Sequence, residues 1–304
     1  PVLLMKLLCF ALFACAFNLL IGYTGLLSFG HAAFLGGAGY IAGYVIRDMG
    51  MPFEVGIVAG VAFAAFIGLI MGMLAIRRQG IYFTMITLAL AQMLYFIFLQ
   101  ARFTGGEDGL QGIPRGTLLG VIDLSNDLTL YFVVLAICIA AYGLIVRTVH
   151  SPFGQVLKAI KENEPRAISL GYDVDKYKLL VFVLSAALSG LAGATKATVL
   201  GFETLTDVHW SMSGLVVLMT LVGGLGTLAG PIVGAIVIVA LENRIGEFGA
   251  WMAVTTQIDW FLSLGEQVTI VTGFIFIVVV LAFRKGIVGE IIAWNQRRIA
   301  KAGQ

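Results

Sequence analysis

The sequence predicts an all-α, polytopic bundle of transmembrane helices with short or broken spans and one polar cytoplasmic loop. Three observations lead there. The 304-residue chain is 60% hydrophobic and 12% charged, where a soluble domain carries about 25% charge. Its apolar runs approach the roughly 20 residues that cross a bilayer. Pro52, Pro114, Pro152 and Pro165 fall in connections, and beyond Pro1 only Pro231 interrupts apolar sequence.

Taken in order, spans are expected near 2–21, 26–46, 53–75, 81–100, 128–147, 179–200 and 267–283, all within one domain covering 1–304. The stretch 211–245 must hold two further passes. Two full passes need about 40 residues, so these are short, broken or re-entrant. The first run reads as a span rather than a signal peptide. Cys9, Cys15 and Cys138 lie in apolar runs and read as small apolar side chains, not a disulfide framework.

Basic residues set the orientation. Arg77 and Arg78, six Lys and Arg of the 147–178 loop and five of the 284–304 tail fall on one side, predicted to be cytoplasmic. Only Arg47, Arg102, Arg115 and Arg244 fall in the opposite connections. Parity then places Pro1 outside, unless 22–46 is re-entrant or a helix precedes Pro1; the sequence leaves both open. The acidic, glycine-rich loop 101–127 and the polar stretch 242–266 are expected outside, either as solvated connections or as contacts for an external partner. Lys6 and Lys196 lie within spans, and Lys196 is expected to snorkel to the headgroups.

The most informative stretch is SPFGQVLKAIKENEPRAISLGYDVDKYK, within 147–178. Ser151 can cap a helix with Pro152 at its first position, where a missing N–H costs nothing. That helix should run to about Glu162, with Phe153, Val156, Leu157 and Ile160 forming one apolar face. Lys158, Lys161 and Glu162 should project away from it. Asn163 can cap a second short helix across Pro165 to Leu170, stopped by Gly171. A helix lying on the inner leaflet would explain the stripe. It would not explain two short helices with defined stops, which suit protein docking better.

Two glycine-rich segments stand apart. LVGGLGTLAGPIVGA carries Gly223, Gly224, Gly226, Gly230, Pro231 and Gly234. No GxxxxGK[ST] occurs in the chain, so ATP is not held by a phosphate loop here. The spacing Gly226, Gly230, Gly234 permits close helix packing, and a Gly/Pro-interrupted short span is also how transporters break a helix beside a substrate path. Gly39/Gly43, Gly68/Gly72 and Ser185/Ser189/Gly193 repeat the packing device. GYTGLLSFGHAAFLGGAGY (22–40) is the irregular counterpart in the first half.

Ser28, His31, Thr84, Thr87 and Gln92 are polar groups at membrane depth and are the candidates for lining a translocation path; each could instead make an interhelical hydrogen bond. Asn18 is a further polar residue in the first span. No series of buried carboxylates crosses the membrane, which argues against a proton-driven carrier. The three histidines lie at no metal-ligand spacing. Neither a catalytic constellation nor a metal site is expected.

At four stretches the chain resembles permeases of the branched-chain amino acid ABC importer family, LivM-type subunit. They are NLLIGYTGLLSFGHAAFLGGAGY (18–40), FTGGEDGLQGIP (103–114), SPFGQVLKAIKENEPRAISLGYDVDKYKLLVFVLSAALSGLAG (151–193) and LVGGLGTLAGPIVGA (221–235). The resemblance covers nearly the whole length. It implies that the loop at 151–172 seats in a groove of a cytosolic ATPase, with Phe153, Gly154, Lys158, Ala159, Glu162, Asn163, Ala167, Leu170 and Gly171 in or beside the contact. It also implies a second homologous permease, two ATPase subunits that hold ATP and Mg²⁺, and an extracytoplasmic substrate-binding protein. Membrane lipid is the remaining partner, and nucleic acid is not one.

The expected function is therefore the non-catalytic permease subunit of an importer in a bacterial inner membrane. Its cargo is branched-chain or related amino acids, although relatives also carry amides, urea or aromatic acids. The rival is an ion-gradient-driven secondary carrier of a small polar or amphipathic solute.

Overall fold

A computed structural model describes residues 2–118, 120, 122–256, 273, 277, 286–291 and 294, with the backbone alone for 244–256. The chain divides into two units, Pro1–Val216 and Val217–Gln304. Among the described residues of the first unit, five helices are long and apolar enough to cross a membrane: α1 (Val2–Thr24), α3 (Phe53–Ala75), α4 (Ile81–Gln100), α5 (Asp127–His150) and α8 (Val174–Leu200). The chain is a multi-pass, all-α membrane protein.

Helix α2 (His31–Arg47) is shorter than the 26–46 span expected, because residues 25–30 are not helical. Gly25 leaves α1 at φ +79°, a left-handed conformation that suits glycine. The Lys161 ammonium binds the Gly22 carbonyl at the end of α1, and Arg47 at the end of α2 binds the Gln111 carbonyl in the loop after α4. Helix α2 therefore crosses from the end that carries α6 (Pro152–Glu162) and α7 (Glu164–Ser169), here the basic end, to the opposite end.

Helices α2 and α8 form the centre, with α1 and α3 packed against both or one of them. Small residues permit this. A side chain at Gly193 would run into the Leu35 carbonyl, and one at Gly68 would meet Ala186. Backbones thus approach closely, as association in lipid requires. Helices α3, α4 and α5 present apolar residues outward, including Phe66, Met85 and Phe132, all at least 60% exposed, a surface suited to hydrocarbon.

At the opposite end the expected loop is ordered. It holds two 3-10 turns (Arg102–Thr104 and Gly106–Asp108) and short strands β1 (Leu110–Gln111), β2 (Thr117–Leu118) and β3 (Ile122–Asp123). Strand β1 pairs antiparallel with β4 (Phe202–Glu203), and β2 with β3. After β4 come α9 (Leu205–Val208) and α10 (Trp210–Gly223), the latter crossing the boundary between the units.

The 211–245 region holds one 14-residue helix, α10, and the start of α11 (Gly230–Thr256). Helix α11 continues through 242–256, where a polar external stretch is expected; the apolar run before Asn243 supplies the helical start. The remainder of that stretch and the 267–283 span fall outside the described residues apart from 273 and 277, as does most of the 284–304 tail.

Candidate functional site

The polar loop builds two helices where capping chemistry puts them. The Ser151 hydroxyl accepts from the Gly154 N–H at 3.3 Å with Pro152 opening α6, and the Asn163 side chain accepts from the Arg166 N–H at 3.1 Å to start α7. Gly171, at φ +88°, turns the chain out of α7. The apolar stripe is not free, however. Val156, Leu157 and Ile160 are buried within the chain, and Val156 and Ile160 cluster with Ala167, Val174 and Tyr177. Phe153 stacks on Tyr177, with ring centroids 5.6 Å apart. A sequence pattern marks an apolar face but not its partner, and here α7 and the start of α8 cover it.

What remains open is a groove of about 610 Å³ lined by Pro152, Phe153, Gln155, Ala159, Leu170 and Tyr172, among others. Leu170 is 68% exposed and Ile168 56% exposed. Glu162, Asn163 and Gly171 are also exposed, whereas Gly154 is buried against α5.

The lysines depart from expectation as well. Lys161 reaches back to the Gly22 carbonyl at 2.6 Å, and the Lys158 ammonium lies 5.9 Å from the Tyr23 ring centroid. Both grip the end of α1, where a cation suits the helix dipole. Glu164 accepts from Lys178 at 2.6 Å and from Gln79 at 2.9 Å. The α6–α7 pair is thereby tied to α1, α8 and the α3–α4 connection.

Four of the five membrane-depth polar residues lie together around 25–31. Thr84 donates to the Leu27 carbonyl at 2.8 Å, and Thr87 accepts from the Phe29 N–H at 3.3 Å. The Ser28 hydroxyl accepts from the Gly30 N–H. Ser185 donates to the Ala16 carbonyl, so it accepts from His31 Nε2–H at 2.9 Å. Phe17, Phe34 and Phe182 surround the imidazole edge-on. Gln92 stands apart, partly buried further along α4.

In the second unit the glycine-rich segment ends α10 at Gly223 and opens α11 at Gly230, with Pro231 in its first turn. Gly224 and Gly226 in the connection take φ of +123° and +73°. A side chain on Gly234 would strike the Met219 carbonyl, so the hairpin closes on bare backbone.

Sequence reasoning missed a buried ionic cluster. Lys196 does not snorkel: its side chain is 3% exposed, 3.2 Å from Glu203 and 2.5 Å from Asp207. The β1–β4 pairing and the α9 turn fold both acids back over the end of α8, and Gly39 leaves room for the Glu203 carboxylate. Burial pushes the Glu203 carboxyl well above its usual range. Burial also acts to raise Asp207, but the Lys196 ammonium and Thr204 outweigh it and hold that carboxyl below its usual range. The two acids are thus pushed in opposite directions, the nearer one toward its ionised form. The available signal was three charges, at i, i+7 and i+11, in an otherwise apolar stretch. Among the described residues no group of three or more His, Cys, Asp or Glu side chains could hold a metal.

Residues 2–287 match the family described as branched-chain amino acid transport system / permease component. The LivM permease protein of the high-affinity branched-chain amino acid transport system of Escherichia coli is 26% identical over 257 residues, 77% of this chain and 60% of that protein. The autoinducer 2 import permease LsrC of Klebsiella pneumoniae is 28% identical, over 60% of this chain and 52% of its own length. The ribose import permease RbsC of Bacillus subtilis is 27% identical, over 64% and 58%. The chain spans about 60% of the length of the LivM proteins it matches. No solved structure matches it significantly.

Proposed function

The chain belongs to the branched-chain amino acid transport permease family, and from that premise we propose that it is the membrane-spanning subunit of an ABC importer for branched-chain or related amino acids. In this reading it forms half of a heterodimeric path with a second permease. Cytosolic ATPases dock on α6 and α7 and bind ATP and Mg²⁺, and a soluble external protein delivers cargo.

One observation carries the reading: the groove at the basic end. Leu170 and Ile168 expose apolar surface on a loop flanked by charged residues. The helices beneath are held by Lys161, Lys178 and Glu164 rather than hanging free. A displacement of α6–α7 by a docked ATPase would therefore pull on the end of α1, on residues 25–30 and on the start of α8. ATP can shift the permease between states only through contacts that differ between them, and this surface is suited to supply such contacts.

The test is uptake into proteoliposomes containing this chain, its second permease, the ATPases and the binding protein. ATP-dependent leucine uptake that persists after ion gradients are collapsed supports the proposal. Uptake by this chain alone, driven by a gradient and indifferent to ATP, would establish the rival secondary carrier.

A further inference from the structure

The break between α9 and α10 sits at membrane depth yet presents polar side chains at the surface. Depth can be read from α2. A side chain on Gly36 would meet the backbone of Asp207 and Val208 at 2.7 Å. Gly36 precedes Arg47 by eleven residues, so Val208 lies about 16 Å below the opposite end at 1.5 Å per residue. Ser213 accepts from the Ala32 N–H at 2.9 Å, and Ala32 lies about 22 Å below that end on the same rise. Residues 208–213 thus lie about 16–22 Å below that end, inside a hydrocarbon core about 30 Å thick.

At that level Ser211 is exposed and His209 half-buried, with Thr206 exposed one turn earlier. Trp210 is 45% exposed. The His209 ring lies 5.4 Å from Tyr95 and 5.6 Å from Trp210, and its Nδ1 pairs with the Ser211 hydroxyl at 2.9 Å. A broken helix with open polar groups is not stable against lipid; such backbone occurs at this depth where it is covered by protein or lines a water-filled cavity. Ser28, His31 and Thr87, by contrast, are fully buried.

We infer that the α9–α10 break is a wall of the translocation path. Thr206, His209 and Ser211 supply hydrogen bonds to the charged end of a small zwitterionic solute, and Tyr95 and Trp210 supply faces for its apolar side chain. This rests on the reading of the chain as a permease half. It adds the residues that meet cargo.

The test uses the assembled importer carrying Ser211→Cys or, as a lipid-facing comparator, Phe132→Cys. Phe132 is 64% exposed on α5. The native Cys9, Cys15 and Cys138 are buried and give little background. A membrane-impermeant, anionic methanethiosulfonate reagent attacks thiols that water reaches. Modification at Ser211→Cys should be about tenfold or more faster than at Phe132→Cys, since the charged reagent is excluded from hydrocarbon. It should abolish leucine uptake, and excess leucine with the binding protein should slow it. Equal, slow modification of both cysteines, as when the second permease packs on this face, would overturn the inference. So would full leucine uptake after modification. An unmodified importer that fails to take up leucine with ATP would count against the permease reading, while the labelling contrast still reports on this one.

Discussion

Replacing Lys196 by methionine separates a buried ionic cluster from a snorkelling lysine. Methionine keeps the length of the aliphatic stem and removes only the ammonium. Lys196 and Glu203 are 3% and 0% exposed, and Asp207 is 10% exposed. Burial favours the neutral form of Glu203, and the Lys196 ammonium favours the ionised form of Asp207. Lys196→Met leaves Asp207 ionised without its counter-ion, and removing one partner of a buried pair costs about 3–5 kcal/mol. A snorkelling lysine would lose well under about 1 kcal/mol, the range of solvent-exposed ion pairs. Glu203→Gln should be tolerated, since it replaces a group burial already favours in neutral form. The sign follows from the raised Glu203 pKa: its contribution is present at acidic pH and is lost as pH rises through the folded value. Glu203→Gln should therefore flatten the loss of stability that sets in as pH rises above the ordinary carboxylate range. The assay is thermal unfolding of the detergent-purified assembly, followed by size-exclusion chromatography across pH. A Lys196→Met protein as stable as wild type, or a Glu203→Gln protein as unstable as Lys196→Met, would refute the reasoning.

Other substitutions probe the remaining elements. Leu157→Asp places a charge at a fully buried position and should cost about 3 kcal/mol or more, read as loss of folded protein. Leu170→Asp, at an exposed position, should leave stability within about 0.5 kcal/mol while reducing ATP-driven uptake. Gly193→Val should drive α2 from α8 and lower the unfolding temperature, because overpacking costs about 1–3 kcal/mol. Lys161→Met removes the tie to the Gly22 carbonyl and should cost only about 1 kcal/mol of stability. Uptake per ATP hydrolysed should fall further than that cost accounts for, and Lys161→Arg should restore part of it.

The sequence made several parts of this molecule readable. Apolar runs locate the long helices because lipid demands about 20 apolar residues whatever the tertiary partner. Ser151, Pro152, Asn163 and Gly171 locate α6 and α7 because capping is a local interaction. Burial against other segments was less legible. The Phe153–Ile160 stripe showed that a face is apolar but not that Ala167, Val174 and Tyr177 cover most of it. Lys196 looked like an end-of-helix cation until β1–β4 pairing folded Glu203 over it. Ser28, His31, Thr84, Thr87 and Gln92 were legible as polar residues at depth. Thr206, His209 and Ser211 were not, because hydropathy does not report a break at His209.

The central claim is that the surface of α6 and α7 receives a cytosolic ATPase. A photo-crosslinking residue placed at Leu170 in the assembled importer tests it most directly, with the same residue at Leu180, 59% exposed on α8, as the comparison. The account predicts a covalent adduct between position 170 and an ATPase subunit, and none from position 180. Absence of that adduct in an importer that hydrolyses ATP and transports, or an adduct from position 170 to the external binding protein, would contradict it.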